Sequence, residues 1–216
     1  QYTLLANTVD VIINAAGSTN HTYSYRYYRS ESVGSLLRLA EFCLTCRKKA
    51  LHIIGSAGSE VYKRKRDFYR LGFFHCGYSR MKWVTRHVTE LLAKQGISAH
   101  HYLSTFVLGN HNTSYKDPGL DYSFWQMVMF SIAMGKTFDA ENVRLPVVPG
   151  NVLAKTVINN VFAKNPARVL CPMITVGICD VARRFNLPVV PWPEFKRSLN
   201  SAYSVIPNRI NWRKPL

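Results

Sequence analysis

Two short apolar runs, each ending in small residues, restrict this chain to a small number of folds. Val9–Asn14 is rich in β-branched residues and stops at Ala15–Ser18, and Leu51–Ile54 stops at Gly55–Ser59. Such runs are typical of strands that are buried on both faces of a parallel sheet. Small residues after a strand let a ligand approach the backbone at the carboxyl edge of the sheet.

Helical patterns alternate with the strand patterns. Leu36–Leu44 has one apolar face, Gly77–Gly96 carries apolar residues at helical spacing, and Ile97–Leu103 is a third strand pattern. Strands that alternate with helices at this spacing favour right-handed βαβ units. The sequence therefore predicts an α/β fold with a parallel sheet and helices on both faces.

The pattern changes after Gly109. A polar, turn-rich stretch precedes further predicted elements: a helix over 121–134, a strand over 145–148, a helix over 152–163, a strand followed by a helix over 174–185, and a terminal helix from Pro193. We therefore expect two regions, 1–110 and 111–216. The second would be a smaller, mostly helical subdomain with a returning strand and helix near 145–163.

The formal net charge of +16 is the most unusual bulk property of the chain. It predicts an acidic partner, which would be a phosphate-bearing cofactor, a nucleic acid or an acidic protein surface. Five cysteines, an odd number, favour a reducing compartment, and we expect a cytoplasmic protein. No apolar run is long enough to span a bilayer. The chain begins with Gln1, so we expect it to be part of a longer polypeptide.

Tyr78 and Lys82 are the candidate chemical groups. They are four residues apart on the helix predicted to begin at Gly77, so they point from the same face one turn apart. A lysine ammonium near a phenol favours the phenolate and lowers the tyrosine pKa, which makes the phenol a usable proton donor. By itself the spacing is not specific, because the chain has 12 Tyr and 28 Lys plus Arg.

The order of these motifs resembles extended short-chain dehydrogenases/reductases. Within them it is most similar to the thioester reductase domains of nonribosomal peptide synthetases, polyketide synthases and α-aminoadipate reductases. The motifs that carry the resemblance are Asp10–Ala16 with Asn20, His52–Ser56, Gly77–Val84, Val107–Asn110, Leu145–Pro149 and Pro191–Phe195. The resemblance implies a Rossmann-like fold, of which residues 1–110 would be the C-terminal half of the cofactor domain.

The resemblance also implies roles for individual residues. Ser56 would hydrogen-bond the thioester carbonyl and then the developing oxyanion, and Tyr78 would donate a proton to that oxygen. Lys82 would lower the Tyr78 pKa and, with Tyr78, hold the nicotinamide ribose. Ala15–Gly17, namely Ala15, Ala16 and Gly17, would contact the cofactor, which we expect to be NADPH. The substrate would be an acyl or peptidyl thioester on a phosphopantetheine carrier protein, reduced to an aldehyde or further to an alcohol.

The remaining candidates are less specific. His75 and Cys76 precede Tyr78 at the expected mouth of the cleft, and Asn110 ends a family motif; all three are candidate substrate contacts. Cys43 and Cys46 are expected to be buried on a helix rather than to bind zinc, since no second pair has matching spacing. We predict no metal site.

The Gly-rich dinucleotide fingerprint of the family does not occur in the sequence. Either the chain begins after that turn, or the domain is a remnant that lacks its cofactor. Two alternatives therefore stay open beside the thioester reductase. One is another extended short-chain reductase, such as a fatty acyl-CoA reductase or a nucleotide-sugar enzyme. The other is a degenerate, non-catalytic basic binding domain.

Overall fold

The computed structural model describes residues 1–20, 23–60, 77–109, 123–139, 144–162 and 168–203. The helices and strands of these residues are, in chain order, α1 (Tyr2–Thr8), β1 (Val11–Asn14), α2 (Tyr25–Tyr28), a π-helical turn (Arg29–Val33), α3 (Gly34–Leu44), β2 (Ala50–Ile54), a 3₁₀ turn (Ala57–Glu60), α4 (Gly77–Lys94), β3 (Ala99–Leu103), β4 (Phe106–Leu108), α5 (Ser123–Ala133), β5 (Thr137–Phe138), β6 (Arg144–Pro149), α6 (Gly150–Asn160), β7 (Arg168–Leu170), β8 (Ile174–Gly177), α7 (Ile178–Phe185), β9 (Val189–Val190) and α8 (Trp192–Tyr203).

The chain divides into two compact units. Unit 1 comprises Gln1–Thr105 and Asn151–Pro172, and unit 2 comprises Phe106–Gly150 and Met173–Leu216. Unit 1 contains a four-stranded sheet of order β1-β2-β3-β7 in which every pair is parallel. This confirms the predicted α/β class with a parallel sheet.

One face of this sheet is covered by α3 and α4. Leu36 and Cys43 of α3 form a buried apolar cluster with Leu51 and Ile53 of β2 and with the start of β3, and α4 packs against this cluster. These are the β-branched and leucine positions that the sequence pattern assigns to a core.

The opposite face of the sheet carries a buried polar cluster. The rings of His52 and His100 stack with their centroids 4.5 Å apart, and both side chains are fully buried. His52 Nδ1 lies 2.8 Å from the Tyr102 hydroxyl, which donates to the backbone carbonyl of Val157 in α6 at 3.5 Å. Helices therefore lie on both faces of the sheet, as predicted.

Among its described residues, unit 2 consists of two small sheets and three helices. β6 lies between β4, to which it is parallel, and β8, to which it is antiparallel; β5 pairs with β9 in parallel. Its core is formed by Val128, Phe138, Ile178 and Phe195. Helix α7 begins at a polar cap, because the Asp180 carboxylate accepts the Gly177 N–H at 2.8 Å and forms an ion pair with Arg144 at 3.1 Å.

The division of the chain differs from the predicted regions. Helix α6 and strand β7 lie in the returning segment Asn151–Pro172 of unit 1, whereas β6 stays in unit 2. Strand β7 joins the sheet of unit 1 because it pairs with β3, in a register that places Arg168 opposite His101. The functional labels of the two predicted regions stay predictions.

Two local expectations were incomplete or wrong. Helix α1 lies where no element was predicted, and it is held by the fully buried Ala6 and by contact between the Tyr2 and Phe42 rings. Cys46 is not a buried helix residue, because α3 ends at Leu44 and Cys46 is exposed with a φ of 60°. Cys43 is buried as expected.

Within the part of the chain that the structure describes, no helix is long and apolar enough to cross a membrane. The same residues contain no group of three or more His, Cys, Asp or Glu side chains that could hold a metal ion.

We predict that Gly77→Ala lowers the free energy of unfolding by about 1–3 kcal/mol. A Cβ on Gly77 would overlap the backbone of Ser24 and Tyr25, against which the start of α4 packs. Urea denaturation measures the effect. Gly34→Ala is the matched control, because its Cβ would lie 3.6 Å from the Arg38 side chain in ordinary contact. The control is expected to be neutral or stabilising by about 0.5–1 kcal/mol; equal losses in both variants would contradict the assigned packing.

We also predict that stability falls as the pH drops from about 6.5 to about 4. Burial, and then the neighbouring His100, lower the pKa of His52 from 6.5 to about 4. The unfolded chain therefore binds a proton in this pH range that the folded chain does not bind, so the stability is complete above pH 6.5 and is lost as the pH falls. The expected loss is on the order of 3 kcal/mol.

Thermal unfolding at several pH values measures this dependence. His52→Gln should flatten this dependence. A slope that is the same in the wild type and in His52→Gln would show that the buried histidine is not its source.

Candidate active site

Ser56 is held at the carboxyl edge of the sheet by backbone pairing that continues beyond β2. Gly55 N–H donates to the Tyr102 carbonyl at 2.8 Å, and Ala57 N–H donates to the Ser104 carbonyl at 2.7 Å. The Ser104 hydroxyl returns a hydrogen bond to the Gly55 carbonyl at 2.8 Å. These bonds flank Ser56 on both sides and fix its backbone.

The Ser56 hydroxyl is oriented by the turn that follows it. The Ser56 Oγ accepts the Gly58 N–H at 3.1 Å, and the Ser56 backbone carbonyl accepts the Ser59 N–H at 3.0 Å. A hydroxyl that accepts a hydrogen bond can still donate its own hydrogen to a ligand oxygen. The 3₁₀ turn that contains Gly58 contacts α4, so Ser56 lies beside the helix that carries Tyr78 and Lys82.

Tyr78 and Lys82 lie together at the start of α4. Tyr78 is the second residue of the helix, and the Nζ of Lys82 is 5.5 Å from the centroid of the Tyr78 ring. Both side chains are half-buried. Burial lowers the pKa of Lys82 from its ordinary value of 10.5. The predicted pair is therefore in contact, with the cation over the aromatic ring.

The loop after β1 presents a small-residue backbone to solvent. Ala15, Ala16 and Gly17 are exposed, and a Cβ on Gly17 would meet no atom within 4 Å. The loop is ordered by the Asn14 side chain, whose Oδ1 accepts the Ala16 N–H at 3.0 Å. Such a loop at a strand end can accept a ligand close to the backbone.

These residues fit one end of a dinucleotide cofactor. A half-buried lysine, a tyrosine and a small open loop suit the ribose and nicotinamide end. The pyrophosphate end normally lies on a Gly-rich turn and a helix N-terminus, and the sequence contains no such turn. Residues that suit the ribose and nicotinamide end are therefore present near Tyr78 and Lys82, and a Gly-rich turn for the pyrophosphate does not occur in the sequence.

The three predicted substrate contacts lie outside the described residues. They are His75, Cys76 and Asn110. The structure assigns them no position, and their role stays a prediction.

One residue of this neighbourhood had no role in the sequence analysis. Tyr28 is fully buried, and its ring lies against the Tyr78 ring with the centroids 6.3 Å apart and the planes at 70°. Its hydroxyl donates to the Asn20 carbonyl at 2.7 Å. The available signal was the tyrosine-rich stretch Tyr23–Tyr28, in which four of six residues are Tyr.

The solved structures that superpose on this chain include reductase domains. The terminal R domain of the myxalamid PKS-NRPS biosynthetic pathway superposes with a TM-score of 0.78 at 17% identity, over 94% of this chain and 55% of that chain. A thiolation-reductase di-domain from an archaeal non-ribosomal peptide synthetase gives 0.72 at 15% identity, over 93% and 47%. The chain thus spans about half the length of these proteins. At these identities the likeness concerns the fold, and the resemblance stated from the sequence is confirmed at that level.

A nucleotide-sugar enzyme shares the fold as well. UDP-N-acetylglucosamine 4-epimerase from Bacillus cereus superposes with a TM-score of 0.61 at 12% identity, over 88% of this chain and 70% of that chain. No match was found among the curated proteins.

The family of this chain is identified by its match to a protein-family model. Residues 1–157 match the model of an NAD-binding family described as "Male sterility protein". The match includes β1, β2, β3 and the Tyr78 helix, and it extends over more than half of the 216 residues. The chain therefore belongs to this NAD-binding family.

Proposed function

We propose that this chain provides the proton-handling part of an NADPH-dependent reductase that acts on acyl or peptidyl thioesters carried by a carrier protein. The product would be an aldehyde, with further reduction to the alcohol as a second outcome. The observation that carries the proposal is the contact between Lys82 and Tyr78 at the start of α4, beside the turn that orients Ser56. The NAD-binding family and the reductase folds support the same reaction class.

In the proposed thioester reduction, two hydrogen-bond donors act on the carbonyl oxygen. Reduction of a thioester adds a hydride to the carbonyl carbon and a proton to its oxygen, after which the C–S bond breaks and leaves an aldehyde and a thiol. The cofactor, when bound, supplies the hydride. Ser56 would donate a hydrogen bond to the carbonyl oxygen, which stabilises the negative charge that develops there. Tyr78 would deliver the proton to the same oxygen.

Lys82 would set the acidity of Tyr78. An ammonium group close to a phenol favours the phenolate, and partial removal from water strengthens this interaction. In our proposal Lys82 also holds the ribose hydroxyls of the cofactor, and Ala15–Gly17 approach its nicotinamide end. NADPH rather than NADH is part of the proposal, because the positive charge of the chain favours the additional phosphate.

A carrier protein is the partner that the charge favours. Phosphopantetheine carriers are generally acidic, and a chain of formal charge +16 would attract one over a distance of several ångströms. One of the structures with this fold is a thiolation-reductase di-domain, in which the two domain types belong to one protein. The attraction would weaken as salt is added.

The second candidate is a nucleotide-sugar enzyme. The fold shared with UDP-N-acetylglucosamine 4-epimerase favours it. Turnover of a UDP-sugar together with no oxidation of NADPH by a thioester would select this candidate. Salt-dependent binding of RNA or of an acidic protein, with no NADPH binding, would instead indicate a non-catalytic domain.

We predict that Tyr78→Phe lowers kcat for thioester-dependent NADPH oxidation about 10²–10⁴-fold, because the proton donor is lost. Ser56→Ala is expected to lower it about 10²–10³-fold through loss of an oxyanion donor. The assay follows NADPH absorbance with an acyl-pantetheine thioester, in the native polypeptide that contains these 216 residues.

Lysine variants on the same helix provide the matched control. Lys82→Met should lower kcat, whereas Lys94→Met, at an exposed position in the last turn of α4, should leave it unchanged. Full activity of Tyr78→Phe would refute the assignment of the proton donor. Absence of both NADPH binding and turnover in the wild type would refute the catalytic proposal.

A further inference from the structure

Tyr28 connects two parts of the candidate site that are far apart in sequence. Its hydroxyl reaches the loop after β1, and its ring reaches Tyr78 at the start of α4. The side chain has a relative exposure of 0%. A buried phenol needs a hydrogen-bond partner, and here the partner is the backbone of the strand-end loop.

The Tyr28 hydroxyl contacts the loop after β1 at Ser18 and at Asn20. The shortest contact is to the Asn20 carbonyl at 2.7 Å, and longer contacts reach the Ser18 carbonyl at 3.4 Å and the Ser18 Oγ at 3.5 Å. The Ser18 Oγ in turn accepts the Asn20 N–H at 3.3 Å. This arrangement begins one residue after Gly17, the last of the small residues proposed to face the cofactor.

The ring side of Tyr28 belongs to the core under Tyr78. Tyr28, Val33 and Met81 form a buried cluster, and Tyr78 packs against it. Met81 lies on α4 between Tyr78 and Lys82, so this cluster supports the segment of the helix that carries both groups. The edge-on geometry of the two tyrosine rings restricts the orientation of the Tyr78 ring.

The backbone is adapted to place Tyr28 and Val33 on the same side. They are five residues apart, and in a regular α-helix they would point about 140° away from each other. The π-helical turn Arg29–Val33 follows Tyr28 and contains Val33, and its wider spacing lets both side chains be buried against α4. Single π-turns within helices occur frequently at functional sites.

We propose that Tyr28 is a positioning residue of the reductase site: its hydroxyl fixes the loop that faces the cofactor, and its ring fixes the proton donor Tyr78. This inference rests on the proposed function. It assigns separate tasks to the two ends of one side chain. Removal of the hydroxyl alone therefore has a different consequence from removal of the ring.

Tyr28→Phe is expected to weaken cofactor binding and to leave the chemical step nearly intact. The dissociation constant and the KM for NADPH should rise about tenfold through loss of the buried hydrogen bond. The kcat should stay within about threefold of the wild type, because the ring still contacts Tyr78. Tyr28→Leu removes both contacts, so kcat should also fall about tenfold or more, and the pH dependence of kcat should shift.

A measurement without turnover tests the loop directly. In the cofactor-free chain, Tyr28→Phe should accelerate hydrogen exchange at the amides of residues 15–20 and leave those of Ala99–Leu103 protected. Tyr27→Phe is the matched control, since Tyr27 is a partly exposed neighbour in the same helix. It should change neither the exchange nor the kinetics.

The inference is overturned if Tyr28→Phe leaves both NADPH affinity and exchange at residues 15–20 unchanged. It is also overturned if both Tyr28 variants leave KM unchanged and lower only the apparent kcat, in proportion to a loss of folded protein measured by thermal unfolding. A wild type that neither binds NADPH nor turns over a thioester would refute the proposed function instead. Because the exchange measurement needs no substrate, the two failures are distinguishable.

Discussion

The candidate site depends on the pairing between β2 and β3, which extends beyond the strands themselves. Backbone hydrogen bonds continue through Gly55 and Ala57, and the Ser104 side chain adds another to the Gly55 carbonyl. The His101 ring lies where a Cβ at position 55 would be, so any larger residue there would require the ring to move. The close approach keeps the two strand ends together, and Ser56 obtains its fixed position from them.

Strands β2 and β3 also contribute buried polar side chains to the core of unit 1. His52 and His100 are buried and stacked on the face that α6 covers, and burial lowers the pKa of both. A neutral imidazole can be buried when its polar atoms have partners, and the Tyr102 hydroxyl provides one for His52. This polar cluster connects the sheet to the returning helix through Val157. The attachment of α6 is therefore expected to weaken in acid.

Local sequence patterns predicted the elements that local physics determines. The strands β1, β2 and β3 begin within two residues of their predicted starts and end where predicted. In β1 and β2 the end is set where β-branched residues give way to small ones. The Tyr78 helix begins at Gly77 as predicted, and Gly96, with a φ of 83°, follows its end. The contact between Tyr78 and Lys82 follows from the spacing alone once the helix is assigned.

Features that depend on distant contacts could not be predicted in this way. Strand β7 has three residues, too few for a recognisable period, and it exists because it pairs with β3. Helix α1 is secured by a ring contact 40 residues away, between Tyr2 and Phe42. Tyr28 reaches Tyr78 across 50 residues of sequence, and the π-helical turn that makes this contact possible has no known sequence signal. The site was therefore only partly predictable.

The position of Lys82 is not explained by stability alone. The chain already carries a large excess of positive charge, and a lysine ammonium is most stable in water, where self-repulsion is screened. Burial beside Tyr78 instead lowers the pKa of Lys82, which means that the charged form is destabilised there. Contact with the aromatic ring offsets part of this cost. A partly desolvated cation interacts more strongly with a neighbouring phenol than a solvated one does, because less water screens it. In the proposed reaction, this partly desolvated charge would strengthen the effect of Lys82 on the Tyr78 phenol.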